Sequence, residues 1–254
     1  MKHTAVLCLT MAILIGCGGG GGGGETKSSA NRSTPGDVKA NEWISIDGGS
    51  YKAGDNRFDN FPLKGYKVPG YEIQKFEVTN HQYKTWLDTL TPELREEHTP
   101  KEHFTKKAAW VDGWYPEGAH NHPVVNITYK SAKAYAEGNG WKLPTRVQWE
   151  VAARGTDLKA FPWGDSFVTA NGNIGGSDLK DVGSYDAGKS WCGTYDQTGN
   201  AWEFTQSSYD KTNRAKLLKG GSYMEKEELF FLSANNLSAP LGDFNPNWGF
   251  RCAR

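Results

Sequence analysis

About a hundred residues after Gly155 carry no helical periodicity and are rich in glycine, asparagine, aspartate and aromatic side chains. Such a stretch folds as long loops packed on a small sheet, because these residue types favour turns and interrupt helices. The whole chain has 31 Gly, 10 Trp, 11 Tyr and 11 Phe among 254 residues. Flat rings and turns therefore supply much of its core, and this composition excludes a helical bundle.

The part of the chain before Gly155 contains signals for helices. Thr79 followed by Gln82, and Thr145 followed by Gln148, are capping boxes, and apolar side chains follow each at helical spacing. A third threonine, Thr128, opens a similar pattern. The predicted helices cover residues 79–90, 128–138 and 145–155.

Short strands are predicted near the start of the folded part. Residues 43–46 and 51–54 read as two strands on either side of the turn Asp47-Gly48-Gly49. Together with the helices and the long loops, they predict an α+β fold with small twisted sheets and two or three helices. No internal repeat or second linker interrupts residues 42–254, so one domain is the simplest account.

Charge and hydrophobicity exclude two classes of protein. Lys and Arg together number 29, as do Asp and Glu. A chain with no net positive charge does not attract a phosphate backbone, so nucleic acid is not expected as a partner. Only 37% of the residues are hydrophobic, which excludes a protein with several membrane spans.

The first seventeen residues predict export and lipid attachment. Lys2 precedes an apolar run over 5–15 that is too short to span a bilayer, which indicates a signal peptide over 1–16. The pair Gly16-Cys17 resembles the lipobox of bacterial lipoproteins, in which the cysteine is lipidated. Residues 17–41 then read as a flexible tether, beginning with the glycine run Gly18–Gly24. We expect the protein at the outer membrane, with the folded part exposed at the cell surface. The outer membrane is inferred by analogy with other bacterial lipoproteins.

Two cysteines remain in the folded part, Cys192 and Cys252. They are too few for a zinc site of four thiolates. The sequence allows either a disulfide between them or two separate thiols.

A series of short phrases points to one family. In chain order they are Gly48-Gly49-Ser50-Tyr51, Phe76-Glu77-Val78-Thr79-Asn80, His122-Pro123-Val124-Val125-Asn126, Leu143-Pro144-Thr145, Trp149-Glu150, Phe161-Pro162-Trp163-Gly164-Asp165, Gly199-Asn200-Ala201-Trp202-Glu203-Phe204, Gly220-Gly221-Ser222-Tyr223 and Gly249-Phe250-Arg251-Cys252. Their order and number resemble the formylglycine-generating-enzyme family, a branch of the C-type lectin fold. The resemblance covers residues 42–254 and implies that fold.

The resemblance implies an oxidase, but this chain departs from it at the reaction centre. Active members carry two copper-binding cysteines after the Gly-Gly-Ser-Tyr phrase, and the corresponding positions here are Glu225 and Phe230. A phenyl ring has no ligand atom, and a carboxylate is a hard donor unsuited to a thiophilic metal. Related iron enzymes need a histidine cluster, and no His follows His122. We therefore expect no copper, no catalytic residues and no enzymatic activity.

Calcium is the cofactor that the resemblance still implies. One family site would use Asp196, Gly199, Ala201 and Glu203, where two carboxylates flank a glycine turn. A second would use Asn173 and Ile174. Hard oxygen ligands in a flexible loop suit Ca2+.

The C-terminal segment, about 220–254, is the predicted ligand-binding part. It resembles the variable segment of proteins diversified by retroelements, the Treponema variable protein among them, in which adenine-directed codon changes never yield Glu, Lys, Gln, Met or Trp. Residues 229–247 contain none of these five. The predicted contact residues are Tyr223, Glu225, Phe230, Phe231, Ser233, Leu241, Asp243, Phe244 and Asn247.

The leading hypothesis is thus a surface lipoprotein that binds a protein or another cell-surface ligand through exchangeable loop side chains on a rigid scaffold. Two alternatives stay open: an exported oxidase or sulfatase-modifying factor, and a structural lipoprotein of the cell envelope. Neighbouring genes would separate the leading hypothesis from the structural alternative.

Overall fold

Each helix in the described part of the chain begins at a threonine cap. The computed structural model describes residues 39–254, so the predicted signal peptide, the lipidation of Cys17 and most of the tether lie outside the described residues. The four helices are α1 (Asn80–Leu87), α2 (Pro92–His98), α3 (Tyr129–Gly138) and α4 (Arg146–Arg154). Thr79, Thr91, Thr128 and Thr145 cap them, each accepting a backbone N–H from the first turn.

Three of these helices confirm the sequence prediction. Thr79 and Thr145 form the expected capping boxes, in which the side chain of Gln82 or Gln148 accepts the backbone N–H of the threonine. The short helix α2 was missed. Only its last residue, His98, is buried, so it has no apolar stripe that a periodicity search could find.

The first four strands form one interrupted antiparallel ribbon. Strand β1 (Trp43–Ile46) pairs with β4 (Tyr71–Gln74), and β2 (Gly49–Ala53) pairs with β3 (Lys64–Val68). The register is continuous across the interruption, because Ile46 faces Tyr71 and Gly49 faces Val68.

The turn between β1 and β2 is therefore a kink and not a hairpin, although the two predicted strands are present. At this kink Gly48 lies against Gly70, where an added Cβ would be only 2.9 Å from the Gly70 backbone nitrogen. The close backbone contact explains why glycine stands here.

The C-terminal half is built on a four-stranded sheet with the order β7-β6-β5-β8. Its strands are β5 (Trp202–Ser208), β6 (Ala215–Lys219), β7 (Leu237–Pro240) and β8 (Trp248–Gly249). Strand β8 runs parallel to β5, and the other pairs are antiparallel. The remaining residues form long loops with three short 3-10 turns, as the lack of periodicity predicted.

The main core lies between α1, α3 and the sheet. Tyr83 of α1 stacks on Tyr135 of α3 with ring centroids 5.5 Å apart, and Phe250 packs edge-on against both rings. Trp202 at the start of β5 is part of the same buried cluster. The α+β class and the small sheets agree with the prediction, and residues 39–254 all fall within one compact unit. Over this range no helix has the length and apolar character that crossing a bilayer requires.

Candidate functional site

Trp202 lies beneath part of the predicted site. It is almost completely buried, and its backbone N–H donates to the carbonyl of Asn247 at 2.8 Å. This bond and the parallel pairing of β5 with β8 place the indole beneath the C-terminal loops. The two positions at which the resemblance implies sulfur ligands, Glu225 and Phe230, both contact this indole.

The carboxylate of Glu225 is engaged by three donors. Trp202 Nε1 donates to one oxygen at 3.1 Å, and the backbone N–H and hydroxyl of Ser222 donate to the other at 2.9 and 2.5 Å. The Ser222 hydroxyl in turn accepts the side-chain amide of Asn247 at 2.8 Å. A carboxylate held in this way fixes the turn 222–225, and it is poorly placed to act as a general base.

Phe230 completes the contact with Trp202 from another side. The two rings are nearly perpendicular, with centroids 6.5 Å apart. Phe230 is half-buried between the main core and a second cluster around Phe161 and Phe231. A carboxylate and a phenyl ring thus hold the indole in place at the two positions.

The two cysteines of the described part are separate free thiols. Cys252 is buried in the main core beside Phe250, and burial raises the pKa of its thiol. Cys192 lies in a different place, where its thiol donates to the carbonyl of Ala152 at 3.3 Å. The structure contains the second of the two arrangements that the sequence allowed.

The nine predicted contact residues do not share one environment. Five are at least partly accessible: Glu225, Phe230 and Phe244 are half-buried, and Leu241 and Asp243 are exposed. The other four, Tyr223, Phe231, Ser233 and Asn247, are buried. Phe231, for example, stacks on Phe167 at 5.6 Å, so its ring serves the fold. Contact with a partner in this conformation is limited to the first five.

Sequence reasoning missed a loop over 101–108 that adjoins this surface. Asn126 joins it to the C-terminal segment: its carbonyl accepts the Lys101 N–H, its own N–H donates to Asn245, and its side chain donates to the carbonyls of Lys107 and Ala108. Asn126 has a φ of 60°, a left-handed conformation that asparagine tolerates better than most residues. No local sequence signal indicates this loop, because the bonds of Asn126 join residues far apart in the chain.

The loop adds exposed aromatic surface. Phe104 is 76% exposed and packs against His103 with centroids 4.1 Å apart. His103 also faces Phe244 edge-on at 6.4 Å. The accessible rings therefore come from two chain segments that are far apart in sequence.

The residues predicted to bind calcium belong to a buried charged network. Both oxygens of Glu203 pair with the guanidinium of Arg251 at 2.7 Å, and one also accepts Trp149 Nε1 at 2.7 Å. One oxygen of Asp196 accepts the N–H of Gly183 at 2.6 Å. At the second predicted site, the side-chain amide of Asn173 donates to Asn200.

Glu77 belongs to this network and was not among the predicted site residues. Its carboxylate accepts the side-chain amide of Asn200 and the N–H of Ala201. Burial and the neighbouring carboxylates raise the pKa of Glu77 well above its usual range, and burial raises that of Asp196 to about 6.

In this arrangement the carboxylates predicted to bind calcium are engaged by protein groups. Arg251 already occupies both oxygens of Glu203, and within residues 39–254 no group of three or more His, Cys, Asp or Glu side chains converges on a metal position. Gly199, Ala201 and Ile174 contribute only backbone atoms to such a site. Calcium binding stays a prediction of the sequence.

Several curated proteins are similar to this chain. Serine/threonine-protein kinase Pkn1 of Chlamydia trachomatis is 29% identical over 84% of this chain and 38% of its own length. Hercynine oxygenase of Mycolicibacterium thermoresistibile is 30% identical over 58% of this chain and 37% of its own length. Inactive C-alpha-formylglycine-generating enzyme 2 of Mus musculus is 26% identical over 83% of this chain and 84% of its own length. The chain thus spans less than half of the first two relatives.

Solved structures confirm the fold. Treponema denticola variable protein 1 superposes with a TM-score of 0.67 at 17% identity, covering 83% of this chain and 94% of that chain. PvdO from Pseudomonas aeruginosa superposes with a TM-score of 0.66 at 18% identity, covering 87% of this chain and 99% of that chain. These similarities support the C-type lectin fold of the formylglycine-generating-enzyme type.

The family itself follows from the sequence match over nearly the whole chain. A profile described as the sulfatase-modifying factor enzyme 1-like domain matches residues 28–254. The matched range contains all eight strands and all four helices of the described part, together with Trp202 and the residues that hold it. This chain belongs to the family of sulfatase-modifying factor enzyme 1-like domains.

Proposed function

We propose that this chain is a non-enzymatic binding protein that recognises a protein partner through the loops around Trp202. The observation that carries the proposal is the arrangement of Glu225 and Phe230. Both hold the indole in place, and the oxygens of Glu225 are used by Trp202 and Ser222. Where the family resemblance places a reaction centre, the chain has a rigid support for a surface.

The surface above this support has the composition of an interface. Phe104 and Phe244 supply aromatic rings, and Asp243 supplies a charged edge. Leu241 lies at the other end of the sheet from Trp202, where its N–H donates to the carbonyl of Arg214. Large side chains on a fixed backbone make effective contacts because little conformational entropy is lost on binding. The hydrogen bonds of Asn126 and Asn247 fix the backbone of both loops.

Export and lipid attachment are part of the same proposal. The lipobox-like Gly16-Cys17 and the glycine run after it support a chain that is anchored through Cys17 and displayed on the outer membrane. The tether predicted over 17–41 would connect the lipid anchor to the binding domain.

Similarity to an inactive member of the family supports a role without catalysis, whereas the relative named hercynine oxygenase favours the enzyme alternative. The alternative requires ligands that the described loops do not provide at Glu225 and Phe230. Incubating the full chain with Cu(I), dissolved oxygen as the oxidant and a cysteine-containing peptide decides between them. We expect no aldehyde product, and measured turnover would overturn the proposal.

The binding surface is tested by selecting a displayed library of random peptides on the full chain. The selected peptides should lose affinity for Phe104→Ala and Phe244→Ala variants, by about tenfold for each removed contact. Leu94→Ala is the control, since it removes an exposed apolar side chain from α2. Melting temperatures of all variants should stay close together. Equal loss of binding in the control would count against the surface.

A further inference from the structure

A ladder of four aromatic rings lies next to the proposed surface. Trp163 stacks on Phe161 with centroids 5.5 Å apart, Phe161 contacts Phe167 at 5.4 Å, and Phe167 stacks on Phe231 at 5.6 Å. Phe161 and Phe231 are completely buried, whereas Trp163 and Phe167 are only half-buried. The buried rings therefore present the other two to solvent at fixed positions.

Further apolar side chains widen this surface. Phe58, Ile174 and Phe230 pack on the same buried cluster, and each keeps part of its surface exposed. Leu229, next to Phe230, is 46% exposed. We call the set Phe58, Trp163, Phe167, Ile174, Leu229 and Phe230 the ladder face. An apolar surface of this kind on a soluble domain commonly marks an interaction site.

The backbone beneath the ladder face is held firmly. Asp165 accepts the N–H of Ala160 at 2.9 Å, and the carbonyl of Ala160 accepts the N–H of Ser233 at 2.8 Å. Trp163 Nε1 donates to the carbonyl of Ser166 at 3.0 Å. A partner therefore meets a preformed surface and loses little affinity to ordering it.

The ladder face is bordered mainly by carboxylates. Exposed acids stand beside its members in the chain, namely Asp59, Asp165, Glu227 and Glu228. Three cations are nearby. Arg57 is neutralised by Asp55 at 2.7 Å, Lys159 lies 3.7 Å from Asp157, and the stem of Lys226 lies over Gly175. Glu228 also acts on Arg57 and helps to raise the pKa of its guanidinium.

This local excess of negative charge identifies the class of partner. The whole chain is balanced, with 29 acidic and 29 basic residues, so the excess belongs to this face. Carboxylates repel a phosphate backbone and the anionic head groups of a membrane. They attract lysine and arginine side chains, whose apolar stems also pack well on aromatic rings.

We propose that the ladder face docks a basic segment of the partner protein, one in which lysine or arginine alternates with apolar side chains. This inference rests on the proposed function and specifies the chemistry of the partner. The apolar side chains of the segment cover Trp163, Phe167 and Leu229. Its cations reach the surrounding carboxylates.

The charge requirement is tested with a matched pair of double variants of the full chain. Glu227→Lys with Glu228→Lys reverses two carboxylates beside the ladder face. Glu96→Lys with Glu117→Lys makes the same change in net charge at exposed positions elsewhere. Peptides selected from the random library on the unmodified chain should be enriched in Lys and Arg. Their affinity should fall about tenfold or more in the first variant only, and it should weaken steeply with salt.

The apolar requirement is tested in the same way with Leu229→Ser, and Leu94→Ser is the control of similar exposure. Selected peptides that are neutral or acidic, or that respond equally to both variant pairs, would overturn this inference and leave the proposed function standing. A chain that dimerises in light scattering, and does so less in the Glu227→Lys, Glu228→Lys variant, would show that a second copy covers the face, which also overturns it. A library that yields no binding peptide would contradict both proposals.

Discussion

Two buried charged clusters lie on either side of Trp149, and they have opposite imbalances. Around Glu150, one carboxylate faces three cations: Arg146 at 3.2 Å, Arg154 at 2.7 Å and Lys219 at 3.6 Å. Around Arg251, one guanidinium serves the carboxylate of Glu203, while the carboxylates of Glu77 and Asp196 lie close enough to act on it. Trp149 connects the two, since its Nε1 donates to Glu203 and its ring faces the Lys219 ammonium at 5.4 Å.

The comparison shows how the fold tolerates buried charge. In each cluster a single group of one sign is saturated with hydrogen bonds, and the excess groups of the other sign shift their pKa values towards neutrality. Burial and the two arginines lower the pKa of Lys219 to about 7, and burial raises that of Asp196 to about 6. A neutral form costs less to bury than an unpaired charge.

Removing Arg251, the central group of the second cluster, should have the largest effect on stability. In Arg251→Met, the carboxylate of Glu203 loses its ion pair, and the carbonyls of Gln74, Lys75 and Tyr195 lose a donor. We expect a loss of about 3–5 kcal/mol in the free energy of unfolding, as for other buried pairs that lose one partner. Urea denaturation measures it.

The control for this variant is Arg254→Met. Arg254 pairs with Glu72 at the same distance of 2.7 Å, but both side chains are partly exposed. A surface pair contributes about 1 kcal/mol or less. Similar losses in the two variants would show that burial is not what makes the Arg251 pair important. Where Arg251→Met does not fold, Arg251→Met combined with Glu203→Gln should recover part of the stability, because the unpaired charge is removed.

The sequence predicted the scaffold better than the surface. Capping boxes at Thr79 and Thr145 are local signals, so the helices that follow them were found from neighbouring residues alone. The strands that pair with β1 and β2 were not found in this way. A Gly-Gly turn favours a hairpin locally, but β1 pairs with β4 and β2 with β3, and the turn between them is a kink packed against Gly70.

Long-range contacts also decide which side chains of the candidate site are exposed. Phe230 and Phe231 are adjacent and chemically identical, but one is half-buried and the other is completely buried in the aromatic ladder. Nothing in the sequence separates them, because the difference depends on Phe167, more than sixty residues earlier. The loop over 101–108 is held at the surface by the hydrogen bonds of Asn126 and by the contact of His103 with Phe244, all of which join residues far apart in sequence.

The pH dependence of stability tests the cluster around Glu150, in which cations are in excess. Between pH about 7 and the usual lysine pKa of about 10.4, unfolded Lys219 binds a proton and the native amine does not. Stability contributed by this group therefore rises with pH, by up to about 1.4 kcal/mol per unit. Lys219→Met should flatten this rise in denaturation curves measured from pH 7 to 10. An unchanged slope would assign the pH dependence to other groups.

Asp196, in the cluster around Arg251, should change stability with pH in the opposite direction. Between the usual Asp pKa of 3.8 and about 6, the native carboxyl keeps a proton that the unfolded chain has lost, so stability falls as pH rises through this window. Asp196→Asn keeps an acceptor for the Gly183 N–H and suits the left-handed backbone at this position, where φ is 56°. We expect the variant to remove the fall and to gain about 1–3 kcal/mol at pH 7 in a chelating buffer. A variant less stable than the unmodified chain at pH 7 would mean that neighbouring groups stabilise the charged Asp196 carboxylate in the native state. The excess groups of the two clusters would then not behave in the same way.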